Sequence, residues 1–124
     1  MIYVNRAWFQ GRVVSKPTIK SLNSQTKVTS FSLSMVESWD DSSGQHKERK
    51  NVVTIEVAGR DAERIAAEAG FGSWVTLEGY LRSEYIRGEC VIKVRTLRID
   101  VWSTHDGSSD PVRGGDGPDA PGVR

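Results

Sequence analysis

Apolar and polar side chains alternate one-in, one-out along most of this chain, and a period of two predicts strands. The first spans residues 4–14, where Phe9, Gly11 and Val13 alternate with Trp8, Gln10, Arg12 and Val14. Gly11 inside a strand marks a sharp bend or a close backbone approach. Pro17 has no N–H to donate and closes the run. Residues 21–26 read as a turn. A second strand over 28–39 puts Phe31, Leu33 and Met35 on one face and ends at Trp39. After a polar, basic loop (residues 40–50), a third strand over 51–58 turns Val53, Ile55 and Val57 inward. Its Val52, Thr54, Glu56 and Ala58 face outward.

The period changes once. Ala62, Ile65, Ala66 and Ala69 recur at helical spacing within 60–69, with Asp61 and Glu63 in the first turn and Gly70 as a stop. Residues 70–73 then lead into a fourth strand, 74–86, in which Val75, Leu77, Gly79 and Leu81 alternate with Trp74, Thr76, Glu78 and Tyr80. A short turn at Arg87-Gly88-Glu89 opens a fifth strand, 90–102. There Ile92 and Val94 share one face, and Leu97, Ile99 and Val101 resume the alternation one residue out of step, which predicts a β-bulge near Arg95–Thr96. Three strands, a helix and two more strands is the order of the five-stranded Greek-key barrel called the oligonucleotide/oligosaccharide-binding (OB) fold. The expectation is therefore an all-β domain over 1–102 with one short helix plugging the barrel. Residues 103–124, rich in Gly, Ser, Asp and Pro, are expected to form a disordered tail.

Charge and composition narrow the function. Net charge is +1 over 124 residues, but 103–124 hold four Asp against Arg113 and Arg124. The remaining 15 basic and 12 acidic residues leave a mildly basic domain, short of a dedicated duplex binder. Cys90 is alone, which excludes an internal disulfide and a Cys-rich zinc site and suits a reducing compartment. No run approaches the roughly 20 apolar residues of a membrane span, and the N-terminus lacks a signal-peptide pattern, so a cytoplasmic, nucleoid-associated location is expected. His46 and His105 lie in the loop and the tail, Gly70-x-Gly72 precedes a strand, and Asp40-Asp41 is a turn pair. None of them makes a catalytic, cofactor or metal site, and no enzyme activity, cofactor or metal is expected.

What remains points to nucleic acid. A large aromatic at Trp39, beside Lys47, Arg49 and Lys50, suits an unpaired base and its phosphate; the competing reading is a ring covering the strand end. Outward Thr54 and the hairpin cations Arg82, Arg87, Lys93 and Arg95 complete the candidate contacts, since long-range attraction tolerates loose positioning. The competing reading for each cation is a solvated strand face. Trp74 and Trp102 read as covers for the barrel ends.

Residues 4–102 resemble the bacterial single-stranded DNA-binding protein family. The resemblance rests on Val4-Asn5-Arg6 before a strand with Gly11, on Ser34 through Trp39 with Gly44 beyond, on Val57 through Glu63, and above all on Gly72-Ser73-Trp74-Val75-Thr76-Leu77-Glu78-Gly79-Tyr80-Leu81-Arg82. It implies an OB barrel that assembles through its first strand, usually as a homotetramer, and wraps single-stranded DNA using aromatics for stacking and Lys/Arg for phosphates. Trp39 matches a family stacking tryptophan. Val52 and Ala58 stand where the family carries aromatics, and Tyr85 offers itself as a substitute on the fourth strand. The implied subunit interface includes Asn5, Trp8, Phe9, Gln10 and Arg12, with Trp8 open to packing or stacking. The acidic tip by which the family recruits partner proteins is absent from Pro121-Gly122-Val123-Arg124.

Two functions follow. One is sequence-tolerant binding and protection of single-stranded DNA in replication, recombination or repair. The other is a protein-interaction module of the same fold, a primosomal accessory or divergent paralogue, in which nucleic-acid binding is secondary. Aromatics facing outward on strands three and four discriminate them.

Overall fold

The computed structural model describes residues 1–102. Its elements run β1 (Ala7–Val13), β2 (Thr18–Ser21), β3 (Lys27–Asp40), β4 (His46–Ala58), a 3₁₀ turn (Gly59–Asp61), α1 (Ala62–Glu68), β5 (Trp74–Ile86) and β6 (Glu89–Trp102). The strands form one sheet in the order β1-β5-β6-β4-β3-β2, and a further β1–β3 pairing closes it. The result is a closed five-stranded barrel of the OB type, with β2 as a sixth strand on its edge.

Alternation placed the core correctly. Val13, Phe31, Leu33, Ile55, Val57, Val75, Leu77 and Val94 interdigitate inside the barrel with Ile65 of the helix and Ala69 at its C-terminal end. A side chain such as Leu33 or Ile55, wholly withdrawn from water, stabilises the fold by about 1.5–3 kcal/mol relative to exposure. The helix is held over the barrel end because Ala62, Ile65 and Ala69 are buried together and Thr29 Oγ1 donates to the Ala62 carbonyl.

The closure is uneven. Antiparallel pairing binds β3 to β4 along Val28–Asp40 and β5 to β6 along Trp74–Ile86. By contrast β1 pairs with β3 only at Arg12↔Ser34 and Val13↔Leu33, extended by the Val14 N–H donating to the Ser32 carbonyl and the Ser32 N–H to the Ser15 hydroxyl. Parallel β4 pairs with β6 only at Ile55↔Val94 and Glu56↔Arg95. Two glycines allow backbones to pass closely, Gly11 where β1 meets β3 and Gly79 at the irregularity between β5 and β6. A Cβ on Gly11 would lie 2.3 Å from the Ser34 carbonyl oxygen, and one on Gly79 would lie 2.4 Å from that of Arg95.

Four expectations are corrected. The first strand is shorter than 4–14, and the chain after Pro17 forms β2, which pairs with the start of β3. The turn follows it, built on Asn23 Oδ1 accepting from the N–H groups of Gln25 and Thr26. Residues 40–50 are not a loop: the hairpin ladder continues to Asp40↔His46 and only 41–45 turn. The extra residue of β6 is Leu97, between the pairs Gly79↔Thr96 and Glu78↔Arg98, one place beyond the position expected. Leu97 is therefore exposed, while Ile99 and Val101 pack on the core. The tail predicted for 103–124 lies outside the described residues.

Candidate nucleic-acid interface

Since β4 and β6 run parallel out of their turns, both long hairpins leave the barrel at the same end as two arms. The first arm is capped by Asp41, whose Oδ1 accepts from the Ser43 and Gln45 N–H groups and from the Ser43 hydroxyl. The Ser43 bond leads in holding the Asp41 carboxyl below its ordinary range. The second arm turns at Arg87 and Gly88, with φ of 53° and 83°, the left-handed pair that a tight hairpin requires.

Strand parity divides the nominated residues. Trp39, 44 % exposed, pairs with Lys47, and Glu37 pairs with Arg49, so all four continue the core-facing side of the first arm. Lys50 and Val52 project from its opposite face together with Val36 and Ser34. The basic cluster read as one patch beside Trp39 is thus split between two faces. On the second arm Tyr85, 79 % exposed, pairs with Cys90, on the side opposite Arg82 and Lys93.

Outward side chains from four strands line up across the barrel wall. One row is Ser30, Glu56, Arg95 and Tyr80, each the register partner of the next. Thr54 and the pair Arg82↔Lys93 lie one step towards the arms. Tyr80 was not among the residues singled out from the sequence. Its outward direction was legible, but its position beside Arg95 depends on the register of the last hairpin.

The cations differ in what occupies them. Glu56, only 7 % exposed, accepts from Lys93 Nζ at 3.3 Å and from Arg95 Nε and Nη2 at 3.3 and 3.2 Å. Lys93 also donates to Glu84 at 3.0 Å. That bond leads in lowering the Glu84 pKa and raising that of Lys93. Lys47 lies 4.0 Å from Asp41. Arg49, Lys50, Arg82 and Arg87 form no ion pair or hydrogen bond among the described residues. Lys93 and Arg95, expected as open phosphate contacts, are already committed to carboxylates. Their partners are distant in sequence, which hid the pairing.

The nominated interface residues of β1 are also sorted by parity. Trp8 is 68 % exposed, whereas Phe9 packs inward against the core. The Asn5 amide continues the ladder beyond β1, accepting from the Leu81 N–H and donating to its carbonyl, both at 2.9 Å. Gln10 accepts from the Thr76 hydroxyl, and Arg12 lies 5.1 Å over the Trp74 ring. Trp74 and Trp102 do not cover the barrel ends. They pair across β5 and β6 on the outer wall and stack on each other with centroids 5.6 Å apart. From Ala7 to Gly11 the edge of β1 away from β5 has no partner strand among the described residues. Within those residues no helix is long and apolar enough to cross a membrane, and no group of His, Cys, Asp and Glu is arranged to hold a metal.

Comparison with known proteins now adds to this geometry. The profile of the Single-strand binding protein family matches residues 4–104. No curated protein matches the sequence. Among solved structures, a Plasmodium falciparum SSB in complex with ssDNA superposes with a TM-score of 0.72 at 24% identity, over 83% of this chain and 96% of that one. The single-stranded DNA binding protein from Thermus aquaticus gives 0.71 at 20% identity, over 83% of this chain and 52% of that one. A deletion mutant of the Thermus protein gives 0.73 at 20% identity, over 82% and 51%. The chain therefore spans about half the length of the Thermus proteins it matches.

Proposed function

The chain belongs to the single-strand binding protein family, and from that membership we propose that it binds single-stranded DNA with little dependence on sequence and protects it during replication, recombination or repair. The observation that carries this reading is the pair of arms at one end of the barrel. They hold two exposed aromatics, Trp39 and Tyr85, and four cations, Arg49, Lys50, Arg82 and Arg87, that no carboxylate among the described residues occupies. Exposed rings stack bases of any identity, and free cations gain from phosphate by releasing counterions. The protein acts as a binding module rather than an enzyme, in the cytoplasm with the nucleoid. It works as a homo-oligomer, a tetramer, through the unpartnered edge of β1, because an open edge carrying Trp8 is an association surface.

Titration of the intrinsic tryptophan fluorescence with oligo(dT) of about 30 nucleotides, at low and high salt and against duplex, tests the reading. Quenching at low salt, reversal by salt and weak duplex binding are expected. Equal affinity for duplex would overturn the stacking reading. Absence of binding would favour a protein-interaction module, to which the exposed apolar pair Val36 and Val52 would contribute.

A further inference from the structure

We propose that Lys93 and Arg95 form a second, latent phosphate site on the barrel wall, kept closed by Glu56 and open to a single strand once that carboxylate no longer holds them. The inference rests on the single-strand reading above and concerns how much of the wall takes part. Glu56 stands between the two cations. One oxygen accepts from Lys93 and the other takes both guanidinium N–H groups of Arg95. A phosphodiester presents the same acceptors to the same donors. Glu84 is the second anion of the set, 3.0 Å from Lys93, so two carboxylates neutralise two cations.

The cations are not sealed in: the side chains of Lys93 and Arg95 remain 20% and 16% exposed. Their neighbours suit a nucleotide. Tyr80 is the register partner of Arg95, and uncommitted Arg82 is that of Lys93, so an aromatic ring and a free positive charge flank the closed pair. While carboxylates hold them, Lys93 and Arg95 neutralise no phosphate, release no counterions from the strand and add nothing to the salt dependence of binding. Freed of those carboxylates, each contributes about 0.7 to the slope of log affinity against log salt. Binding therefore has two levels, a base level from the arms and a second that depends on Glu56.

The experiment is a charge cycle on the full chain with oligo(dT) over a range of salt. Glu56→Gln frees Arg95 and leaves Lys93 with Glu84. It should therefore tighten binding at low salt by about two- to ten-fold and steepen the slope by about 0.7, and adding Glu84→Gln should bring the slope change to about 1.4. Both changes should vanish when Lys93→Gln and Arg95→Gln are added. Glu89→Gln, at an exposed tip residue outside the network, controls for charge alone, and any gain it gives should persist without Lys93 and Arg95. If Glu56→Gln melts the domain, Glu84→Gln leaves Glu56 as one carboxylate for two cations and should give a gain of the same kind, with a slope change of at most about 0.7. Wild-type binding with no response in either variant, or a response independent of Lys93 and Arg95, overturns the latent site and leaves the single-strand reading standing. No binding by wild type or by Glu56→Gln overturns both.

Discussion

Trp39 is half-exposed on the core-facing side of an arm, out of reach of the barrel core, so its ring is available to a base and adds little to folding. Trp39→Ala should weaken oligo(dT) binding by about 1–3 kcal/mol with the melting temperature nearly unchanged; a large fall in melting temperature at constant affinity would make it structural. Gly79 answers to the opposite constraint. A methyl there would press on the Arg95 carbonyl and on Val94 Cγ1 at 2.9 Å, and backbone cannot swing away. Gly79→Ala should destabilise by about 1–3 kcal/mol or more in a denaturant titration. The stacking candidate was legible from sequence, because an aromatic ending an alternating run beside positive charge is a local signal. The occupation of Lys93 and Arg95 was not, since Glu56 lies more than thirty residues away from both.

At the level of elements, period-two alternation fixed which side of each strand faces the core, and β4 shows how far that goes. Val53, Ile55 and Val57 point in, and Val52, Thr54, Glu56 and Ala58 point out, as their spacing requires. Aromatics substituted at Val52 and Ala58 should therefore meet a strand crossing the wall and tighten oligo(dT) binding. An unchanged affinity in the same fluorescence titration would mean that DNA keeps to the arms. Alternation also located the bulge to within a residue. It failed where polarity imitates a loop: residues 46–50 carry charges on both faces because the arm projects beyond the barrel, and both faces are wet. It also missed β2, whose four residues are all exposed.

Over the whole molecule, the order of strands and helix was enough to give the barrel, because that order has few closed solutions. Assembly through the first strand entered only as what the family resemblance implies, since strand alternation does not say which edge is left open in three dimensions. Removing residues 103–124 takes away four Asp and two Arg, a net charge of about −2 that competes with phosphate for the basic surface. Light scattering of the 1–102 fragment should show the same oligomer as the full chain, with oligo(dT) affinity equal or slightly higher. A monomeric fragment would sink the β1 interface, and a clear loss of affinity would assign DNA contacts to the removed residues.

The uneven closure described above has a dynamic consequence. The barrel is two stiff ribbons, β2-β3-β4 and β1-β5-β6, sewn together at two short joins, of which the β4–β6 one has two register pairs. Local opening begins where the least must be broken, so the ribbons should part before either frays. Among residues 55–56 and 94–95, the amides that point across the β4–β6 join should then exchange with solvent sooner than those that point into the hairpin ladders. Glu56 ties one of these stitches from outside, gripping side chains that belong to the other ribbon. Glu56→Gln would slacken that stitch, and amide exchange of the variant against the wild type would register it as faster opening confined to this one join.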